Sequence, residues 1–180
     1  MNTDSDTACQ IIDLVVATLE LTAIQDPIET RTTWVEPKSY RLMIKASNED
    51  VPFLLGGAGA NIRAVSVLAN ACMPRSAFLN IDISGPTHHH PRRVVPIDIP
   101  PADRMEPEFA AKLIRVVVLW HVCLTRFLPM IEIESTRSCD CLIVDQRNLS
   151  QEALGALRRV VGWAAKTRGR IGFIEWRKRS

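Results

Sequence analysis

Between residues 8 and 24, apolar positions recur at Ile11, Ile12, Val15, Val16, Leu19 and Ala23, while Asp13 and Glu20 fall off the stripe. That spacing predicts an amphipathic helix. The Asp26-Pro27 pair ends it, because the residue before a proline avoids the α region. The run IETRTTWVE, residues 28–36, is rich in β-branched and aromatic residues and predicts a strand. Pro37-Lys38-Ser39 is a turn, and YRLMIKA, residues 40–46, is a second strand closing a hairpin. Ser47 with Asp50 three residues on is a variant capping box, which predicts a short helix from Asn48 to Leu55. Pro52 suits its first turn, where no amide donor is missed. Gly56 interrupts this helix. A further helix from Ala60 sets Ile62, Val65, Leu68, Ala69 and Cys72 on one face and stops at Met73-Pro74, and AFLNIDI, residues 77–83, is a third strand. Residues 1–84 therefore read α-β-β-α-α-β.

Residues 85–106 contain Pro86, Pro91, Pro96, Pro100 and Pro101, a density that excludes helix and leaves at most a short edge strand at VVPIDI. This segment is a linker. Residues 107–180 then repeat the earlier pattern. EFAAKLIRVVVLWHVCL is a helix between Pro107 and Pro129, MIEIES and DCLIVD are strands, SQEALGALRRVVGWAAKTR is a helix capped by Ser150, and IGFIEW is the last strand. Ile81-Asp82-Ile83 superposes on Ile174-Glu175-Trp176 at an offset of 93, and Leu42-Met43-Ile44 on Cys141-Leu142-Ile143 at an offset of 99. The second copy, α-β-β-α-β, thus lacks six residues where the first carries its glycines. The expected class is α/β (α+β): two small units, 1–84 and 107–180, packed as a pseudo-symmetric pair.

The stretch SNEDVPFLLGGAGANIRAVSVLANA holds Gly56, Gly57 and Gly59 between apolar segments. A dinucleotide-binding fingerprint needs a strand before the glycines and a small residue where Ile62 stands, and the capped, proline-containing segment before Gly56 is no strand. A Walker loop fails because no Lys-Ser or Lys-Thr follows. What fits is a helix, a G-x-x-G turn and a second helix. On EDVPFLLGGAGANIRAV, and over residues of about 8–84, the chain resembles the KH domain, and more closely the small single-KH RNA-binding proteins of bacteria. The resemblance implies two KH-like units, the second degenerate and without its glycine turn. It also implies non-catalytic binding of single-stranded RNA or DNA, with Gly56, Gly57, Ala58 and Gly59 against the nucleic-acid backbone. Asn61 would offer an amide, Ile62 and Leu55 a groove, and Arg63 the nearest cation. A homodimer or a protein partner, held through the KH-like sheets, is the other implied use, with the glycine loop inactive.

Charge changes that picture. The net charge is only +2, yet residues 1–90 carry 6 Lys+Arg against 10 Asp+Glu, and residues 91–180 carry 16 against 10. The middle of the GGAG turn is neutral. The cations lie in the second half, at Arg158, Arg159, Lys166, Arg168 and Arg170, so an anionic partner has a basic face there as an alternative to the turn. Other chemistry is sparse. His88-His89-His90 and Cys139-Asp140-Cys141 lack further ligands at zinc spacing, and five cysteines form no disulfide framework. With no catalytic, metal or cofactor motif, the expectation is a protein that is not an enzyme. Leu113 to Leu124 is interrupted by Arg115 and His121, and the polar start is unlike a signal peptide, so a cytoplasmic protein without a membrane span is expected.

Overall fold

The computed structural model describes residues 3–22, 27–36, 38–74, 77–85, 106–135, 140–167 and 173–177. The first half runs α1 (Thr3–Glu20), β1 (Glu29–Glu36), β2 (Ser39–Lys45), α2 (Val51–Leu55), a 3₁₀ turn (Gly57–Gly59), α3 (Ala60–Cys72) and β3 (Phe78–Ser84). The second runs α4 (Pro107–Thr125), β4 (Ile131–Ser135), β5 (Asp140–Asp145), α5 (Gln151–Thr167) and β6 (Phe173–Arg177). The fold is α+β, with one three-stranded sheet per half in the orders β1-β2-β3 and β4-β5-β6. In each, a hairpin pairs antiparallel and the last strand, arriving after a helical crossover, pairs parallel with the middle one.

The register corrects the repeat alignment. Leu42 lies opposite Ile81, and Leu142 lies opposite Ile174. Leu42 therefore corresponds to Leu142, an offset of 100 rather than 99, and seven residues are missing from the second half rather than six. A one-residue slip exchanges the two faces of a strand. Leu42 and Ile44 point into the core, as do Leu142 and Val144, whereas Cys141 and Ile143 are buried on the opposite face, outside that cluster.

Two helix boundaries also move. α1 begins at Thr3, five residues before the stretch of 8–24 read from the sequence, with Asp4 and Asp6 in the first turn, where carboxylates favour the positive end of the helix dipole. α2 begins at Val51 because Ser47 to Asp50 closes a turn of its own. The Ser47 hydroxyl accepts from the Asp50 amide at 3.2 Å and donates to the Asp50 carboxylate at 3.2 Å, while its carbonyl accepts from Asp50 and Val51. By composition, the stretch Val51–Cys72 is long and apolar enough to cross a membrane. Here the turn at Gly56 to Gly59 divides it, and the inner face of α3 is buried.

The helices pack on one another between the sheets, in one apolar cluster that draws on both halves: Leu19, Leu42 and Leu68 from the first, Trp120, Leu142 and Leu157 from the second. Each fully buried side chain of this size stabilises by about 1.5–3 kcal/mol. Polar contacts also cross between halves. Trp120, fully buried, donates its Nε1–H to the Thr18 hydroxyl at 2.9 Å, and Thr18 donates onward to the Leu14 carbonyl at 2.6 Å. The outer face of the first sheet is charged and exposed, with Arg41 on Asp82 and Lys45 on Glu29, each at 3.1 Å.

Candidate functional site

The end of α2 explains the shape of the glycine turn. A helix end leaves carbonyls without partners, and three come to this one from three directions. The Gly56 amide donates to Pro52, Asn61 Nδ2 donates to Leu54 at 3.2 Å, and Trp163 Nε1, from the second half, donates to Phe53 at 2.6 Å. Asn61 is therefore a buried joint between α2 and α3 and does not project its amide to solvent; its Oδ1 is buried without a partner. Ile62 and Leu55 are half-buried, and Ile62 packs on the core.

The residues of GGAG differ in what they require. Gly56 has φ +67° and ψ 174°, a conformation that only glycine adopts readily, and a Cβ there would stand 2.8 Å from Asn61 Cβ. Gly57 is exposed, and a Cβ on it would meet nothing within 4 Å. Ala58 is left-handed at φ 51°, ψ 32°, and Gly59 follows at φ 72°. Arg63 folds back from the first turn of α3 and donates from Nη1 to the Ala58 carbonyl. Its guanidinium thus lies against a loop whose own residues are neutral. One of its five N–H donors is used in this bond, and the side chain remains exposed.

α3 and α5 lie side by side and antiparallel. Residues early in α3 face the middle of α5, and residues late in α3 face its start. Their outer flanks leave three hollows of about 400, 450 and 410 Å³ that share lining residues and so form one furrow. Val67 and Glu152 join the first hollow to the one ending at Phe78, and Gly155 and Arg159 join it to the one ending at Trp163. Arg63 and Arg159 flank the central hollow from opposite halves of the chain. Gly155 and Gly162 keep the α5 side open, since a Cβ at either would meet nothing within 4 Å. Glu152 is the acidic residue in this lining.

The glycine turn and the basic face, read from sequence as separate candidates, therefore border one surface. Arg158 stands at its margin, donating to Gln146 at 3.1 Å with its guanidinium 5.9 Å from the centre of the Trp176 ring. Arg168 and Arg170 lie outside the described residues, as do His88, His89, His90 and Cys139, and the Lys166 side chain is likewise not described. The contribution of Trp163 was missed in sequence, where its helical position reads as core.

No family model matches the chain, and neither a curated protein nor a solved structure matches it.

Away from the furrow, Cys72 at the end of α3 and Cys123 in the last turns of α4 are hydrogen-bonded to each other. The bond from Cys72, against the opposing effect of burial and with help from Arg126, brings the Cys123 thiol down to about 7, while the same bond and burial push Cys72 far up. Asp145, ending β5, is nearly buried. Burial raises its carboxyl, but two hydrogen bonds and an ion pair from Arg147, the latter at 2.7 Å, outweigh this and hold it below the usual carboxylate range.

Proposed function

We propose that this chain binds single-stranded nucleic acid, RNA in the first instance, non-catalytically along the α3–α5 furrow, with the GGAG turn against the backbone at one end. The observation that carries the reading is the convergence of Arg63 and Arg159, from different halves, on a hollow that Ala60, directly after the GGAG turn, also lines, with Arg63 bonded back to the turn at the Ala58 carbonyl. A neutral turn cannot hold phosphates by itself, because affinity for the backbone depends on cationic neutralisation. Arg63 supplies charge at the turn, and Arg159 continues it. The first turn of α3 adds the positive end of its helix. This is the clamp that the KH resemblance implies, with the cation delivered from the helix rather than from the loop.

The test is fluorescence anisotropy of a labelled single-stranded RNA in low salt. Binding is expected to weaken steeply as salt rises. Arg63→Ala and Arg159→Ala should each flatten the slope of log K against log salt by roughly 0.7, the value for one phosphate contact on a single strand. Gly57→Asp with Ala58→Asp should abolish binding without unfolding, since Gly57 has space and aspartate tolerates the left-handed conformation of position 58. No binding by the unaltered chain in low salt refutes the reading.

A second reading rests on Phe127, Leu128, Met130 and Ile133, which are exposed together after α4. An apolar group of this kind fits a protein-contact surface, and the fold would then serve assembly, through that surface rather than the charged outer face of the first sheet.

A further inference from the structure

We propose that Cys72 and Cys123 are a peroxide-reactive pair, with Cys123 as the attacking sulfur and Cys72 as the resolving one, which closes into a reversible disulfide between the two halves of the chain. The pair is independent of the nucleic-acid reading, since it stands away from the furrow. Cys72 is the last residue of α3 and Cys123 lies in the last turn of α4, so the contact joins one helix end from each half. α3 and α4 pack directly on each other. Both thiols are free, hydrogen-bonded to each other and only partly buried against the common core. Cysteines that served only as core filler would be shut off from solvent. Here Cys123 lines a cleft of about 790 Å³ between α1 and α4, which brings a small molecule to its side chain.

The surroundings divide the roles. The bond from Cys72, against burial and with help from Arg126, favours the charged form of Cys123, which is the nucleophile. The same bond, burial and the Cys123 charge hold the proton on Cys72. In the first step the Cys123 thiolate attacks one oxygen of a hydroperoxide. The O–O bond breaks, the other oxygen leaves and takes up a proton, and Cys123 becomes a sulfenic acid. That product is neutral, so the charge that held the Cys72 proton is gone and the second thiol becomes reactive only after the first has reacted. The Cys72 sulfur then attacks the Cys123 sulfur. The S–S bond forms, the S–O bond breaks, and hydroxide leaves with the Cys72 proton as water. Two thiols are oxidised and one peroxide is reduced, two electrons in all. The cleft lining suits a neutral oxidant, because Asp13, Glu20, Glu106 and Glu108 outnumber Lys112 and Arg115 and disfavour anions such as oxidised glutathione.

The test treats the reduced, unaltered chain with one equivalent of hydrogen peroxide near neutral pH and maps its peptides by mass spectrometry without reductant. The expected product is a cross-link between the Cys72 and Cys123 peptides, with the loss of two hydrogens, reversed by dithiothreitol. Because the bond closes a loop of about 50 residues, the urea midpoint should rise by roughly 1–2 M on oxidation and return on reduction. Cys72→Ala should stop the reaction at the Cys123 sulfenic acid, which dimedone captures, and Cys123→Ala should leave Cys72 unmodified at the same dose. The main readout uses the unaltered chain, so the outcome does not depend on how either variant folds. The proposal is overturned if both thiols stay open to alkylation after peroxide, if the disulfide found joins other cysteines or two chains, or if the urea midpoint falls on oxidation. Oxidised glutathione forming the same bond faster than peroxide at equal concentration assigns the pair to thiol exchange and overturns the peroxide chemistry.

Discussion

Two adjacent glycines of the same turn should respond very unequally to one added methyl group. At Gly56, alanine must adopt φ +67° with ψ 174°, which costs about 1–3 kcal/mol for a residue with a Cβ. The new Cβ would meet Asn61 Cβ at 2.8 Å and Asn61 N at 3.0 Å. Neither atom is the free end of a side chain, so α3 itself must shift. That shift strains the buried bond from Asn61 to the Leu54 carbonyl, and losing it costs about another 1–3 kcal/mol. The total, about 2–6 kcal/mol, is a large share of the 5–15 kcal/mol typical of a domain. With a urea slope of about 2 kcal/mol per molar, the midpoint should fall by roughly 1–3 M. At Gly57 the same change meets open space at an ordinary φ and should move stability by no more than about 0.5 kcal/mol. Urea titration followed by circular dichroism measures both. Equal losses at the two positions, or an unaffected Gly56→Ala, would refute the account of the turn. The contrast also separates fold from function: Gly57→Ala should fold normally and yet bind RNA more weakly, because a Cβ now stands where the backbone would approach.

Two further predictions concern the join between halves and the thiol pair. Thr18→Val leaves the buried Trp120 N–H without its acceptor and should cost about 1–3 kcal/mol, while tryptophan fluorescence and circular dichroism still report a single coincident transition, because the core is shared. Separate transitions for the two probes would contradict a shared core. Cys123, lowered to about 7, should be largely thiolate at pH 8, so its alkylation by iodoacetamide, followed by peptide mass spectrometry, should rise through pH 7 and level off above pH 8. Cys72→Ala removes the donor and should shift that rise upward. By linkage, the depressed Cys123 stabilises the folded chain at alkaline pH and loses this contribution as pH falls through about 7. The raised Cys72 acts in the opposite sense, so alkylation is the cleaner readout.

The element order was legible because each boundary carries its own local chemistry. Ser150 caps α5 through the Ala153 amide, and DCLIVD, residues 140–145, is β5 from end to end. The register of the second copy was not legible, for a physical reason. Cys141, Leu142, Ile143 and Val144 are all buried, so β5 shows no alternation from which its core face could be identified, and the alignment slipped by one. At the candidate site, the exposed Gly57 and the basic flank of α5 could be found from local pattern. That they border one furrow could not, because it depends on the antiparallel packing of α3 on α5 and on Trp163 reaching Phe53, contacts 110 residues apart in sequence. Asn61 was misread as a ligand for the same reason: its partners are carbonyls of α2, seven and eight residues back, which become available only after the chain reverses at Gly56.

The seven missing residues also account for the asymmetry of the furrow. In a fully symmetric pair, each crossing helix would begin with its own glycine turn. Because α3 and α5 are antiparallel, the two turns would then stand at opposite ends of the furrow. The second half instead passes from β5 to α5 through a short turn held by Asp145 and Arg147, so α5 begins at Gln151 with no α2 and no loop before it. The end of the furrow where that second loop would stand is the end where Phe78 is exposed. On the proposed reading the halves take complementary parts: the first would set the GGAG turn against the nucleic-acid backbone, and the second contributes Arg159 to the furrow and Trp163, whose bond to Phe53 anchors the turn. A binding surface made this way needs both halves in fixed relation, which is what the buried Trp120–Thr18 bond and the common core provide.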